Sequence, residues 1–130
     1  AGEENNYIFG ARVEELDQIR EDYDPNTLYR KEPRIRRAVD SLVDGTFDDW
    51  GTGMFQELYG ALLQGASWHK PDHYFLLLDF LPYCDAKLRA IADTADAMAF
   101  ARKGLLNTAR SGWFSSDRTV ADYAKEIWRL

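Results

Sequence analysis

Two histidines and an aspartate within one short run are the residues most suited to bind a metal. His69, Asp72 and His73 lie in the sequence His-Lys-Pro-Asp-His. Zinc sites combine such side chains with a further ligand at helical or hairpin spacing. No such ligand accompanies this run. We therefore expect an exposed loop here and no metal site.

The single cysteine suggests a thiol nucleophile with a histidine base. Cys84 would pair with His69 or His73 in that arrangement. However, Cys84 follows Tyr83 on a predicted helix and has no oxyanion-hole motif nearby, so it is interpreted as a small buried hydrophobic residue. One cysteine cannot form an internal disulfide, which favours a reducing compartment and predicts a cytoplasmic location.

Other polar motifs are too weak to indicate catalysis. The acidic pairs at residues 14–15 and 48–49 mimic glycosidase carboxylates, but adjacent acids are normally solvated. Ser115 and Ser116 lack the glycine context of a nucleophile elbow and are better explained as helix caps. The glycines at 51 and 53 form too short a phosphate-loop signal. We predict no catalytic, cofactor-binding, substrate-binding or metal-binding residue in this chain.

Charge and hydropathy exclude two classes of partner. The net charge is −6, whereas nucleic-acid surfaces need clustered Lys and Arg. The one basic cluster, at residues 30–37, is interpreted as a solvated helix face or a partner of the acidic first helix, with an anion site as the alternative. No apolar run approaches the ~20 residues that span a bilayer. We expect neither a nucleic-acid nor a membrane partner.

Apolar residues at three- and four-residue spacing predict about six helices. Residues 24–26 are predicted to stop the first helix and turn, and residues 74–78 to be extended or irregular. Asp79 is the expected cap of the fourth helix, with Pro82 in its first turn. The predicted helices cover residues 13–23, about 33–44, 54–64, about 80–91, 97–110 and about 116–130.

Residues 6–10, apolar on both faces and ended by Gly10, predict a buried strand. No second strand follows, so its sheet is expected in sequence upstream. The predicted fold is mainly α, with one N-terminal strand. No linker or repeat divides residues 1–130, which predicts one segment without an internal domain boundary.

The C-terminal stretch holds a turn, a capped helix start and an amphipathic helix. Gly112 is expected to close the preceding helix in a left-handed conformation. Ser115 and Ser116 are candidate caps, and Asp117 suits the positive end of the helix. An apolar stripe follows and predicts a docking face; it consists of Val120, Tyr123, Ala124, Ile127 and Trp128.

Three blocks of sequence resemble the glycogen, starch and maltodextrin phosphorylases. Residues 111–112, 114–119, 123–124 and 127–128 are similar to the C-terminal signature of that family. Residues 2–5 (Gly-Glu-Glu-Asn) with 7–10 resemble the segment that precedes its last structural stretch. Residues 74–80 and Tyr83 also occur in the family's order. The three blocks span nearly the whole chain.

The resemblance implies a parent enzyme and a place within it. These enzymes use phosphate to release glucose 1-phosphate from α-1,4-glucans, with pyridoxal 5′-phosphate held by a lysine. Their lysine motif and phosphate-binding residues precede the Gly-Glu-Glu-Asn segment, so no such role is carried to this chain. The resemblance places the chain at the C-terminal end of an α/β, two-lobed GT-B-type fold. The apolar stripe would dock towards the first lobe.

Two functional hypotheses remain. In the first, the chain is a structural, inactive C-terminal part of an α-glucan phosphorylase, which contacts the rest of that polypeptide and self-associates when isolated. In the second, it is a stand-alone helical protein-interaction module. The doubly apolar strand at residues 6–10 favours the first, because an autonomous helical module has no use for it.

Overall fold

The computed structural model describes residues 2–129 and is mainly helical, as predicted. Short 3₁₀ turns occupy Glu3–Asn5, Val13–Glu15 and Ser111–Phe114, and a π turn at Ala124–Trp128 follows the last α-helix. Seven α-helices lie within the described residues: α1 (Leu16–Asp22), α2 (Pro25–Lys31), α3 (Pro33–Asp40), α4 (Met54–Leu63), α5 (Leu76–Asp93), α6 (Ala97–Ala109) and α7 (Ser116–Tyr123).

The strand predicted at residues 6–10 is not formed. Asn6 is extended, with φ −130° and ψ 154°, but the segment forms no β-bridge to any other part of residues 2–129. The one β-bridge among the described residues joins Ala66 and His69. A strand exists only through hydrogen bonds to a neighbouring strand. An extended apolar segment without that neighbour is therefore left unpaired.

A helix was missed where the sequence indicated a turn. Asp24 accepts a hydrogen bond from the Asn26 amide at 3.0 Å and from the Thr27 hydroxyl at 2.6 Å, so it caps a new helix, α2. Pro25 stands at the first position of α2, where the missing N–H costs little. Pro33 has the same role in α3. The residues that were predicted to stop the first helix therefore begin α2.

The fourth predicted helix begins earlier than expected and contains Pro82 in its interior. Asp79 lies inside α5 and is not its cap. Instead, the carboxylate of Asp72 accepts hydrogen bonds from the amides of Leu76 and Leu77, each at 2.8 Å. Pro82 removes one intrahelical donor. The tertiary packing that buries Leu77 keeps the helix continuous despite that loss.

The C-terminal turn differs from the prediction at Gly112. Its φ is not among the positive values found for the described glycines, so it does not close α6 in a left-handed conformation. Residues 111–114 form a 3₁₀ turn instead, and the Ser111 hydroxyl donates to the Thr108 carbonyl at 2.8 Å. A side chain thus satisfies a carbonyl that a glycine turn usually satisfies. The capping role of Ser115 is confirmed, because its hydroxyl accepts from the Arg118 amide.

The described residues sort into two compact units. The central unit comprises residues 9–86, and the terminal unit comprises residues 2–8 with 87–129. Helix α5 contributes its residues up to Ala86 to the central unit and the rest to the terminal unit. The single undivided segment expected from the sequence stays a prediction.

The central unit has an aliphatic core built from three helices. Ile35 and Val39 of α3 meet Leu62 and Leu63 of α4 and Leu77 of α5. Ile35 is only 1% exposed, so the apolar spacing that predicted this helix corresponds to real burial. Six partly buried side chains pack around this core: Leu28, Tyr29, Leu42, Tyr59, Phe80 and Leu81.

The terminal unit is held mainly by polar contacts at residues 5–7. The Tyr7 hydroxyl donates to Asp93 at 2.8 Å, and the Lys103 ammonium donates to the same carboxylate oxygen at 2.7 Å. Lys103 also lies 4.9 Å from the centre of the Tyr7 ring. The Asn107 side-chain amide donates to the Asn5 carbonyl at 2.8 Å. These contacts hold the extended N-terminal segment on the end of α5 and on α6.

The acidic caps of α2 and α3 predict a loss of stability in acid. The Thr27 hydroxyl lowers the pKa of Asp24 from 3.8, and the Arg34 amide lowers that of Glu32 from 4.5. A lowered folded-state pKa gives stability that is present above the ordinary pKa and lost as the pH falls through the folded value. We expect the urea midpoint to fall as the pH drops below 3.8.

An Asp24→Asn variant separates capping from titration. Asparagine also caps helices but carries no titratable carboxyl. The urea midpoint of this variant should depend less on pH in acid than that of the parent chain. Asp17→Asn, at a side chain that is 99% exposed, is the matched control and should keep the parent's pH dependence. An equal flattening in both variants would contradict the assignment to the cap.

Candidate functional site

The strongest candidate for a functional surface is the apolar face of the last helix. The C-terminal stripe is defined here as Val120, Tyr123, Ile127 and Trp128. These side chains are 56%, 49%, 63% and 58% exposed, respectively. Large apolar side chains grouped on one exposed face usually mark a docking surface.

Polar contacts outside the stripe hold the last helix in shape. Arg118 pairs with Asp122 at 2.7 Å, one helical turn away, and its guanidinium lies 4.2 Å from the centre of the Trp113 ring. Its Nε also donates to the Trp113 carbonyl. The α-helix then passes into a π turn that carries Ile127 and Trp128. The helix is thus ordered by groups that leave the stripe uncovered.

The exposure extends through the whole terminal unit. All fully buried hydrophobic side chains of the described residues belong to the central unit, the last being Ala86. The terminal unit instead exposes Met98, Leu105, Trp113 and Phe114, with Phe114 at 84%. Folding gains stability mainly from apolar burial. A unit that exposes so much apolar surface is therefore well suited to be covered by another surface.

The structure does not bring the side chains of the His-Lys-Pro-Asp-His run, which was considered and rejected as a metal site, to one point. The rings of His69 and His73 are 6.1 Å apart, but His69 Nδ1 contacts the Lys70 carbonyl at 2.7 Å. Both carboxylate oxygens of Asp72 accept hydrogen bonds from other groups. No group of three His, Cys, Asp or Glu residues within residues 2–129 is arranged to hold a metal.

The other polar motifs have structural contacts. Asp48 accepts from the Trp50 amide at 2.8 Å, and Asp49 accepts from the amides of Phe55 and Gly51 at 3.2 and 3.1 Å. The Phe55 amide lowers the pKa of Asp49, the opposite of what a glycosidase general acid requires. Cys84 was expected to be buried, but it is half-buried. It lies on α5 at the edge of a shallow pocket. The prediction that this chain has no catalytic residue stays a prediction.

The basic cluster pairs with the acids of its own segment. Arg30 lies 3.5 Å from Asp24, and Arg34 lies 3.2 Å from Glu32. Arg36 donates to the carbonyls of Tyr29 and Arg30 instead. These arginines therefore neutralise the two helix caps. This favours the interpretation as a solvated helix face over the anion site, although the acids are not those of the first helix.

One buried carboxylate, that of Asp72, was not predicted from the sequence. Asp72 is 3% exposed and accepts from the Tyr23 hydroxyl at 2.5 Å as well as from the two first amides of α5. Burial, followed by the neighbouring Asp72 carboxylate, raises the pKa of Tyr23 well above its ordinary value. The available signal was an aspartate just before a leucine-rich helical run, which is a common helix start.

Comparison with known proteins decides the family. A family model described as carbohydrate phosphorylase matches residues 1–130. The chain belongs to the carbohydrate phosphorylase family. The resemblance carried by the three sequence blocks is thereby confirmed.

Individual relatives of this phosphorylase-family chain agree with the match. It is 35% identical over 129 residues to the alpha-glucan phosphorylase H isozyme of Solanum tuberosum, covering 99% of this chain and 15% of the relative. It is 34% identical to the glycogen phosphorylase of Chlamydia pneumoniae with the same coverage. It is 36% identical to that of Bacillus subtilis (strain 168), covering 95% and 15%. The chain thus spans about 15% of the length of these relatives.

Across residues 2–129, every helix is too short or too polar to cross a bilayer.

Proposed function

We propose that this chain is the structural C-terminal part of an α-glucan phosphorylase and has no activity by itself. The parent would act in the cytoplasm and use phosphate to release glucose 1-phosphate from α-1,4-glucans. The observation that carries the proposal is the exposure of the terminal unit. This unit exposes large apolar side chains, and among the described residues it has no fully buried apolar side chain.

The lengths of the relatives support an intramolecular surface as the covering. The chain corresponds to about 15% of each relative, so most of such a polypeptide is available to contact the C-terminal stripe. A covering surface within the same polypeptide is present at high effective concentration. The proposed parent therefore explains the exposed stripe without a separate protein. In the isolated chain, the same surface would promote self-association.

The lysines of this chain do not fit a covalently held pyridoxal 5′-phosphate. Lys103 is half-buried, whereas Lys31, Lys70, Lys87 and Lys125 are exposed. Asp93 raises the pKa of Lys103 by accepting its hydrogen bond, which keeps the ammonium charged. A lysine that forms a Schiff base needs a neutral amine. We propose that the cofactor belongs to the remainder of the parent enzyme.

An activity assay tests the proposal directly. The purified 130-residue chain, incubated with glycogen or maltodextrin and phosphate, is expected to release no glucose 1-phosphate above a protein-free control. The full-length polypeptide containing this chain, supplied with pyridoxal 5′-phosphate, is the positive control and should release it. Phosphate-dependent release by the 130-residue chain alone would refute its assignment as an inactive part.

A stand-alone helical interaction module is the second candidate. It rests on the exposed apolar side chains of the terminal unit, which a separate protein could also cover. The size of the natural protein distinguishes the two proposals. An antibody against this chain should detect a band several-fold heavier than 15.0 kDa in host-cell extract if the parent is a phosphorylase. A band only at 15.0 kDa would favour the module.

A further inference from the structure

A cleft of about 600 Å³ opens in the central unit, beside the buried Asp72. One wall is the end of α1, with Arg20 and Tyr23, and the other is the loop that carries Trp68 and Lys70. Sites for small molecules in proteins typically enclose ~300–1,000 Å³. All of the residues that line the cleft belong to the central unit.

The loop that forms the cleft has a defined shape. Ala66 and His69 exchange two backbone hydrogen bonds, at 3.0 and 3.2 Å. Gly65 has φ +77°, and a Cβ at this position would lie 2.7 Å from the His69 carbonyl oxygen. At the far end of the loop, the hydrogen bond of Tyr23 to Asp72 ties it to α1. A pre-formed wall of this kind lowers the entropic cost of ligand binding.

The cleft presents a flat aromatic surface. Trp68 is 79% exposed, and its ring contacts the edge of His69 at a centroid distance of 4.3 Å. Most of the Trp68 side chain, which lines the cleft, is therefore open to solvent. Phe75 lies deeper and packs against Tyr23 with ring centres 5.1 Å apart. An exposed indole beside a pre-formed cleft can stack on a flat apolar ligand.

Among the Asp, Lys and Arg side chains that line the cleft, the cations are the ones still available to a ligand. The two acidic side chains of the cleft are already engaged: Asp72 by Tyr23 and the α5 amides, and Asp24 by its capping contacts and Arg30. By contrast, no ion pair in residues 2–129 involves the Lys70 ammonium. Arg20 has one distant, exposed ion pair with Asp17 at 3.7 Å, and its guanidinium lies 6.0 Å from the centre of the Phe75 ring. A ligand that carries a negative charge would satisfy both cations.

We propose that this cleft binds a small aromatic anion, with its ring against Trp68 and its carboxylate or phosphate group near Lys70 and Arg20. The chemistry that defines the ligand is a flat ring joined to one anionic group. The proposal does not depend on the glucan phosphorylase assignment, because it uses only contacts within the central unit. It therefore stands or falls separately from the activity assay.

Calorimetric titration of the 130-residue chain with naphthoate tests this site. We expect saturable one-to-one binding. Neutral naphthylmethanol, which keeps the ring, and inorganic phosphate, which keeps only a charge, should each bind about tenfold more weakly or not at all. The same titration on the full-length polypeptide checks that the cleft stays accessible there. Absence of saturable naphthoate binding to the chain, or equally tight binding of the neutral alcohol, would overturn the proposal.

Two variants locate the binding. Trp68→Ala and Lys70→Gln should each weaken naphthoate binding by about fivefold, the effect of one exposed contact. The matched controls are Trp50→Ala and Lys31→Gln, which change the same residue types at exposed positions that do not line this cleft. They should leave the affinity unchanged. Because Lys70 is exposed, its variant is expected to fold, and unchanged affinity in that variant would refute the site.

Discussion

Replacing Asp72 with alanine is expected to lower the free energy of unfolding by about 3 kcal/mol, through loss of a helix cap and of hydrogen bonds to a buried charge. The variant leaves the amides of Leu76 and Leu77 without their acceptor and the Tyr23 hydroxyl without its partner. Asp72 also has φ +42°, a conformation that aspartate and asparagine tolerate better than alanine. Urea unfolding followed by circular dichroism measures the change.

Three further variants divide this effect into its parts. Asp72→Asn keeps one acceptor oxygen and tolerates the positive φ, so it should lower the free energy of unfolding less than Asp72→Ala does. Tyr23→Phe removes only the hydroxyl and should cost about 1 kcal/mol. Asp85→Ala removes an exposed acid from α5, the helix that Asp72 caps. Its free energy of unfolding should stay within about 0.5 kcal/mol of that of the parent chain. A cost for Asp72→Ala no larger than that for Asp85→Ala would show that the buried cap contributes nothing.

The Tyr23–Asp72 contact also predicts sensitivity to alkali. The pKa of Tyr23 is raised above its ordinary value of 10.0 by burial and by Asp72. A raised folded-state pKa gives stability that is fully present below the ordinary pKa and is lost as the pH rises above it. The urea midpoint of the parent chain should therefore fall above pH 10.0, and that of Tyr23→Phe should fall less.

Placing two charges in the C-terminal stripe is expected to weaken the self-association proposed for the isolated chain by at least about a hundredfold. The double variant Tyr123→Asp with Ile127→Asp would bring two carboxylates into an apolar contact, and burying unpaired charge costs several kcal/mol. It also removes two of the large apolar side chains that such a contact would bury. Light scattering across a dilution series measures the dissociation constant.

The control for this variant makes the same change in net charge at a position outside the C-terminal stripe. Lys125→Asp also shifts the net charge by about −2, but Lys125 lies outside the stripe on the same π turn. It should dissociate the chain far less than the double variant. In the full-length polypeptide, the double variant should lower the unfolding temperature more than Lys125→Asp does. Equal effects of the two changes would show that general repulsion, and not the stripe, governs association.

The sequence was sufficient wherever the cause of structure is local. The positions of α4 and α6 follow from apolar spacing, and the cap at Ser115 follows from its place before α7. Local hydrogen bonds and the helical period involve residues only a few positions apart, so a single segment contains the necessary information. The three blocks that indicated the phosphorylase family are also contained in the sequence alone.

The tertiary structure decided the features that depend on distant residues. Helix α5 begins at Leu76 because Asp72 is buried against Tyr23, which lies 49 positions away in the chain. Residues 6–10 have the composition of a strand but form none, since no other strand within residues 2–129 offers them a partner. The apolar periodicity of the last helix predicts the same C-terminal stripe whether that stripe is buried or exposed in the folded chain. Burial and strand pairing are properties of two surfaces in contact, whereas a sequence pattern describes only one of them.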